Sequence, residues 1–343
     1  MRTANPSRAT GMLVLATAFW GLSFPTMKGL GLLQAPLLPD SSSWFVATLC
    51  LTYRFLGCAL IMLVLCARTL RHITWLEIWQ GVGLGIFAAG GLIFQMDGLA
   101  YTSASTSAFL TQFYCLIIPV WVALCDRRMP SLLVIACSLM VIIGVSILSS
   151  FDWRNLHLGR GELETIIGSI IFTGQILWLQ RPKFARNNVN HFSLVMFAVI
   201  ALCCFPIAML TTEQARDWIV AYQSPSALAF LVILIFFCTL GGYGLMNAWQ
   251  PYVTATQAGL IYCAEPVFAS LFALFLPGLF STWASIPYPN EQLGFKLLIG
   301  GGLITLANAL IQLQPTSGPK AAPEITHLHS DPPTAAKELR ADS

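Results

Sequence analysis

The stretch TATQAGLIYCAEPVFASLFALFLP, residues 254–277, is apolar over a length that can cross a lipid bilayer as a helix. Such a crossing takes roughly 20 apolar residues at about 1.5 Å of rise per residue. Glu265 and Pro266 lie near the middle of the stretch. A carboxylate at that depth costs about 2.5–3.5 kcal/mol on insertion scales unless it faces water or a partner. The proline at the next position removes a backbone donor. This combination indicates a membrane helix that lines a polar pathway.

The rest of the chain has the same apolar character. Of its 343 residues, 56% are hydrophobic and only 10% are charged, whereas a soluble globular protein carries roughly 25% charged residues. Ten apolar stretches of sufficient length follow one another: residues 10–33, 44–67, 76–95, 99–125, 130–150, 162–181, 190–211, 226–247, 254–277 and 293–313. The composition therefore predicts an all-α, polytopic membrane protein with ten transmembrane helices.

The basic residues between these stretches are distributed unevenly. If the N-terminus is inside, the cytoplasmic segments hold Arg2, Arg8, Arg68, Arg71, Arg127, Arg128, Arg181, Lys183 and Arg186, and the opposite loops hold only Arg154, Arg160 and Arg216. An excess of Lys and Arg marks the cytoplasmic side. We therefore expect a multi-pass protein of the plasma membrane, the inner membrane of a bacterium, with both termini in the cytoplasm. Residues 314–343 are polar and proline-rich, which predicts a disordered cytoplasmic tail.

The two halves of the chain are similar in arrangement. The glycine pair at 90–91 recurs at 241–242, an offset of 151 residues. Each half contains five apolar stretches, an odd number, so the second half enters the membrane from the opposite side. The sequence thus predicts two inverted five-helix repeats, residues 10–150 and 161–313. Inverted repeats are typical of secondary transporters, which bind substrate near the midplane between the halves.

Five stretches resemble the drug/metabolite transporter superfamily, EamA type. They are FWGLSFPTMK (19–28), YRFLGCAL (53–60), TSASTSAFLTQFY (102–114), GELETIIGSIIFTGQILW (161–178) and AGLIYCAEPVFASLFAL (258–274). The resemblance covers about residues 10–313. It implies a fold of two inverted EamA repeats, export of small metabolites across the plasma membrane, and a central cavity lined by the first, third, fourth, sixth, eighth and ninth helices.

Polar and aromatic side chains lie at mid-depth in several stretches, where lipid does not satisfy polar groups. The candidate substrate-binding residues are Trp20, Gln112, Tyr114, Gln175, Trp178, Asn247 and Tyr262. Each of them either contacts a substrate or joins helices by hydrogen bonds and packing.

Three charged residues of the apolar stretches are candidates for coupling or for structural roles: Glu265, Arg54 and Lys28. Glu265 either couples transport to protons or forms a structural ion pair with Arg54 or Lys28. Arg54 either ties helices together through backbone carbonyls or binds substrate. Lys28 either extends to the membrane surface or meets an anionic group of the substrate.

These features predict a secondary transporter that works by alternating access, with proton coupling through Glu265 as a further expectation. The exported compound is expected to be amino-acid-like or another small polar or amphipathic metabolite. A passive channel or a lipid scramblase is the alternative, and an intramembrane enzyme is a third reading. We do not expect an enzyme, because the sequence has no H-E-x-x-H motif and no histidine in the middle of an apolar stretch.

The expected partners are the small-molecule substrate and the lipid bilayer, without nucleic acid. No cofactor is expected, and His327 and His329 in the tail are not taken as a metal site. The sequence leaves the oligomeric state, monomer or dimer, open.

Overall fold

The structure is a computed structural model that describes residues 6–98, 101, 107, 110–127, 129–148, 159–292 and 294–311. The tail predicted to be disordered (314–343) lies outside the described residues. So do most of the residues at the start of the fourth predicted span (99–109) and the end of the first predicted repeat at residue 150.

The described part of the chain is helical, and no strand occurs in it. Its principal helices are α1 (Pro6–Gln34), α2 (Ser43–Cys66), α3 (Trp75–Gly98), α4 (Tyr114–Asp126), α5 (Leu132–Leu148), α6 (Arg160–Leu179), α7 (Val189–Thr211), α8 (Pro225–Tyr252), α9 (Ala255–Ala273) and α10 (Phe295–Ile311). Shorter helices are Leu70–His72, Pro182–Phe184, Asp217–Val220 and Leu276–Ala284. The helical fold class is confirmed.

Six helices within the described residues are long and apolar enough to cross a membrane: α1, α2, α3, α6, α7 and α8. A seventh span results if α9 and the helix Leu276–Ala284, bent by 54°, are counted together. The described parts of α4, α5 and α10 are apolar but shorter. The multi-pass architecture is thus confirmed, while the count of ten spans and the inverted repeat stay predictions.

The stretch 254–277 forms a broken helix rather than a continuous one. Its first segment ends at Tyr262 and its second begins at Glu265, with Pro266 in the first turn. Because proline has no N–H, the regular helical ladder stops at this point. The second segment ends at Ala273, four residues before the predicted end, and the chain turns into the helix that contains Pro277.

Helix α8 contains a π-helical segment, Leu234–Gly241, in the middle of an apolar run. Each N–H there bonds one residue further back than in an α-helix, so one extra residue is inserted in the turn. The hydroxyl of Thr239 donates to Leu234 O, five residues earlier, at 2.9 Å. Segments of this type occur mostly as short bulges at functional sites.

The helices pack in a small set of neighbouring pairs: α2 against α7, α5 against α10, α3 against α6 and α7, and α1 against α8 and α9. Glycines allow the closest approaches. A Cβ atom at Gly81 of α3 would lie 2.6 Å from Phe192 O of α7. Small residues serve this purpose in membrane proteins because packing has to replace the hydrophobic effect between helices. This arrangement leaves a cavity between α1, α3, α6, α8 and α9.

Candidate functional site

The cavity lies among the middle portions of the helices. It has about 710 Å³ of empty space, its open side included, which is within the roughly 300–1,000 Å³ of ligand pockets. Its lining residues come from both halves of the chain: Trp20, Ser23, Phe24, Met27, Arg54, Leu92, Gln95, Met96, Thr111, Tyr114, Phe172, Gln175, Ile176, Tyr243, Met246, Tyr262 and Glu265. The lining therefore combines an apolar surface with a few polar and charged groups, as small-molecule sites do.

One wall of the cavity is aromatic. The ring of Trp20 lies 5.5 Å from that of Tyr243 and 5.2 Å from that of Tyr262, centroid to centroid. The Tyr262 hydroxyl donates to Gln250 Oε1 at 2.8 Å, so its hydrogen already has an acceptor. This wall holds α1, α8 and α9 together while presenting ring surface to the cavity.

Two hydrogen-bond donors in the lining have no partner among the described residues: Trp20 Nε1 and Gln175 Nε2. Gln175 is 3% exposed. Leaving such a buried donor unpaired costs about 1–3 kcal/mol. Both nitrogens are covered by neighbouring atoms, and Trp20 Nε1 lies against Gly242.

Arg54 extends from α2 into the cavity lining and is itself buried. Its Nε donates to the Thr239 hydroxyl at 2.5 Å, and its Nη1 lies 3.8 Å from Met27 Sδ. The π-helical segment of α8 therefore positions the acceptor that holds this guanidinium. The arginine contacts no carboxylate in the described part of the chain.

Glu265 lines the same cavity and is partly exposed within it. The break in α9 makes it the first residue of a helical segment, where the backbone dipole favours a negative charge. None of the ion pairs between described residues includes Glu265, so the predicted pairing with Arg54 or Lys28 is not formed. The opposite charges of Arg54 and Glu265 thus line one cavity without touching.

Six of the ten predicted site residues line the cavity: Trp20, Arg54, Tyr114, Gln175, Tyr262 and Glu265. Gln112 is buried beside it and accepts a hydrogen bond from the Tyr114 hydroxyl at 2.7 Å.

The other three predicted residues lie elsewhere. Trp178 donates from Nε1 to Gln80 O at 3.2 Å, near the end of α6. Asn247 donates to Ser193 Oγ at 2.9 Å and joins α8 to α7. Lys28 is exposed, with Nζ 5.5 Å from the ring centre of Tyr288.

The sequence analysis missed several lining residues. Tyr243, Gln95 and Thr111 are polar residues in apolar stretches, so the criterion applied to the others could have selected them. Gln95 Nε2 donates to Thr111 Oγ1 at 3.0 Å and links two sides of the lining. The methionines of the lining carry no such signal, because methionine is an ordinary residue of apolar helices.

A polar network closes one end of the bundle. Arg160, at the start of α6, pairs with Asp97 Oδ2 at 2.6 Å and Glu164 Oε1 at 2.8 Å. Its Nη1 donates to the Tyr101 hydroxyl at 2.9 Å, and Ser43 Oγ donates to Asp97 Oδ1 at 2.7 Å. The Asp97 side chain is fully buried, although that of Arg160 is 47% exposed. Helices α2, α3 and α6 are therefore tied together at this end.

Gln250 ties the opposite end of the cavity. It accepts from Tyr262 of α9, and its Nε2 donates to Ile176 O of α6 at 2.8 Å. Gln180, just past α6, also donates to Gln250 O at 3.4 Å. Arg160 and Gln180 are separated by the full length of α6, about 30 Å at 1.5 Å per residue. The cavity thus lies between two hydrogen-bonded ends of the bundle.

No group of three His, Cys, Asp or Glu side chains among the described residues is arranged to hold a metal ion. A concave, mostly apolar lining with a few polar groups is a feature of a site that binds a small molecule reversibly.

The chain is similar in sequence to two curated proteins that are named transporters. A curated protein of Archaeoglobus fulgidus named an uncharacterized transporter is 25% identical over 287 residues, which are 84% of this chain and 82% of that protein. Another uncharacterized transporter, from Haemophilus influenzae, is 29% identical over 143 residues, 40% of this chain and 81% of that protein. No protein-family profile matches the chain.

A solved structure described only as the crystal structure of a protein has the same fold. It has a TM-score of 0.64 and 17% identity, covering 90% of this chain and 97% of that one. The chain is thus similar over most of its length to a protein named a transporter, and its apolar helices indicate a multi-pass membrane protein.

Proposed function

We propose that this chain is an EamA-type secondary transporter that exports a small metabolite across the plasma membrane by alternating access. The exported compound is amino-acid-like or another small polar or amphipathic molecule. The observation that carries this proposal is the mid-depth cavity lined by both halves of the chain, where Arg54 and Glu265 lie among apolar and aromatic side chains. A central site of this kind suits a carrier, whereas a channel needs a continuous polar path.

The packing of the helices supports two inverted repeats. Suppose that each helix is replaced by its counterpart in the other half, so that α1 exchanges with α6, α2 with α7, and so on to α5 with α10. The pair α1–α8 then becomes α6–α3, and the helices of both pairs are in contact. The pairs α2–α7 and α5–α10, also in contact, are converted into themselves. A set of contacts that is preserved by this exchange is what a pseudo-two-fold relation between five-helix halves requires.

Two aromatic–glycine contacts support the same relation at the cavity. Trp20 of α1 lies against Gly242 of α8, where a Cβ atom would come within 2.4 Å of Nε1. Phe172 of α6 lies against Gly91 of α3, where a Cβ atom would be 2.5 Å from the ring. The glycines are 151 residues apart and the aromatic residues 152. In each half, therefore, one aromatic residue that lines the cavity packs against a glycine of the other half.

The Haemophilus influenzae relative is also consistent with a repeat. The 143 aligned residues make up 81% of that protein but only 40% of this chain, so that relative is about half as long. A protein of half the length is thus similar to one part of this chain.

Alternating access requires that the two ends of the cavity open in turn. On the proposed topology, the Asp97–Arg160 network faces the outside and the Gln250 contacts face the cytoplasm, with both termini cytoplasmic. Each closure consists of a few hydrogen bonds and ion pairs between helices, so either one can break while the other holds. Glu265, inside the cavity, is the proposed proton-coupling group, because one carboxylate cannot hold a proton and a cationic group at the same time.

Flux measurements in liposomes test the proposal. The purified protein is first screened for thermal stabilisation by a panel of small metabolites, because a ligand that prefers the folded state raises the melting temperature. Each stabilising compound is then assayed for counterflow in proteoliposomes. A carrier gives saturable uptake that is accelerated by unlabelled compound inside the vesicles. Linear, non-saturating flux would indicate a channel or a scramblase and would overturn the proposal.

A further inference from the structure

Two side chains of opposite charge, one buried and one partly exposed, face one cavity without forming an ion pair. Arg54 comes from α2 in the first half of the chain and Glu265 from α9 in the second. Arg54 is 3% exposed, and its hydrogen bonds to described residues go to a hydroxyl and a thioether, both uncharged. Glu265 has no hydrogen bond or ion pair with a described residue.

Uncompensated charges of this kind are costly in an interior. An ion taken from water into a protein interior loses several kcal/mol of solvation, and a buried charge without a partner retains that penalty. Membrane proteins retain such residues chiefly where they pair, face water or handle a substrate or ion. Since Arg54 and Glu265 do not pair with each other, each is available to a group of opposite charge on a compound in the cavity.

Each of the two groups is held in place. Thr239 accepts from Arg54 Nε, which leaves the Nη2 edge of the guanidinium for an incoming carboxylate. Glu265 is fixed to the start of the second segment of α9 by the break that precedes it. The backbone positions from which the two charges extend are therefore set by their helices.

The remaining lining suits an apolar body between the charges. Met27, Met96 and Met246 contribute three methionine side chains, and Phe172 and Ile176 add ring and aliphatic surface. Methionine is flexible and polarizable, so a methionine-rich wall adapts to side chains of different shape.

We propose that the compound that this site binds is a small zwitterion with an apolar side chain, its anionic group on Arg54 and its ammonium on Glu265. This inference rests on the proposed transport function and adds the substrate class.

A matched set of probes tests the assignment. Leucine, methionine and phenylalanine are each supplied as the free zwitterion, as the methyl ester, which keeps only the positive charge, and as the N-acetyl derivative, which keeps only the negative charge. Thermal stabilisation and inhibition of counterflow are measured for the full-length protein. We expect at least one zwitterion to bind at least about tenfold more tightly than either of its derivatives. The reason is that losing one partner of a buried charge pair weakens binding by this factor or more.

Two variants assign the ends of the ligand. Arg54→Gln should abolish the preference for the zwitterion over its methyl ester, and Glu265→Gln should abolish the preference over the N-acetyl derivative. Lys28→Gln removes an exposed charge outside the cavity and should leave both preferences unchanged. If Arg54→Gln fails to fold, Arg54→Lys keeps the charge but loses the planar fork, and it should weaken binding of the carboxylate-bearing probes alone.

The outcomes separate this inference from the function on which it rests. If singly charged or uncharged metabolites show saturable counterflow while no zwitterion binds, the chain is a carrier and the zwitterion assignment is wrong. Equal binding of a zwitterion and both its derivatives would overturn the assignment as well. If no compound in the metabolite panel gives saturable counterflow, the transport proposal itself fails.

Discussion

The indole of Trp20 lies directly against the backbone of Gly242, so that a Cβ atom at position 242 would come within 2.4 Å of Nε1. The contact joins α1 to α8 at the wall of the cavity, and it exists only because residue 242 has no side chain. Trp20 also packs on Tyr243 and Tyr262, so its position fixes the aromatic wall as a whole.

Gly242→Ala should therefore destabilise the protein. The added methyl group forces the indole or the α8 backbone to move, and overpacking of this kind costs about 1–3 kcal/mol. We expect the melting temperature in detergent to fall by roughly 2–4 °C for each kcal/mol lost.

Gly244→Ala is the matched control, because it is on the same helix and no neighbouring atom lies within 4 Å of the added Cβ. It should leave the melting temperature unchanged or raise it, since alanine is a better helix former than glycine by about 1 kcal/mol. Equal melting temperatures for the two variants would show that the close contact with Trp20 is not a constraint.

Much of the helical arrangement can be predicted from the sequence because hydropathy reports where a chain can lie in lipid. The stretch 44–67 is α2 (Ser43–Cys66), and the stretch 190–211 is α7 (Val189–Thr211). The stretch 254–277 was predicted as one continuous span, whereas α9 breaks just before Pro266, whose missing N–H interrupts the helix.

The direction in which a side chain faces is harder to predict, because these helices are apolar nearly all round. Trp178 and Asn247 have side chains that could bind a substrate. Trp178 nevertheless donates a hydrogen bond to Gln80 O, and Asn247 donates one to Ser193 Oγ. Met27 carries no signal, yet it lies in the cavity beside Arg54. Depth along a helix can be read from spacing, whereas the face that meets the cavity depends on contacts between distant helices.

The ion pair between Asp97 and Arg160 should control access from the outer end. Charge-assisted hydrogen bonds contribute about 1.5–3 kcal/mol each, so Asp97→Asn should raise the fraction of open molecules about tenfold. The readout is labelling of a cysteine introduced at Ser23, which lines the cavity, by a membrane-impermeant thiol reagent added outside.

The same variant without the new cysteine corrects for the native cysteines. Glu213→Gln removes an exposed carboxylate that is not part of the network and should leave labelling at position 23 unchanged. Unchanged labelling in Asp97→Asn would mean that this ion pair does not hold the outer end closed.

Thr239 should act as a positioning residue for Arg54. Thr239→Val keeps the shape of the side chain but removes the hydroxyl that accepts from Nε. Because a hydrogen bond to a charged group contributes about 1.5–3 kcal/mol, we expect KM for the exported compound to rise about tenfold, with little change in kcat. Thr239→Ser retains the hydroxyl and should restore KM. A loss in both variants would instead indicate a packing role for the methyl group.

Glu265 should be the residue at which transport is linked to protons. Glutamine has nearly the same size and hydrogen-bonding capacity but cannot take up a proton, so Glu265→Gln should retain counterflow while losing its response to a proton gradient. The measurement is export-direction flux in vesicles with and without an imposed gradient, at substrate concentrations above KM so that weaker binding does not mask the effect. Lys28→Gln, which removes a charge outside the cavity, should respond to the gradient as the native protein does. If Glu265→Gln also responds fully, the proton is carried elsewhere, and the role of Glu265 is then restricted to binding the substrate.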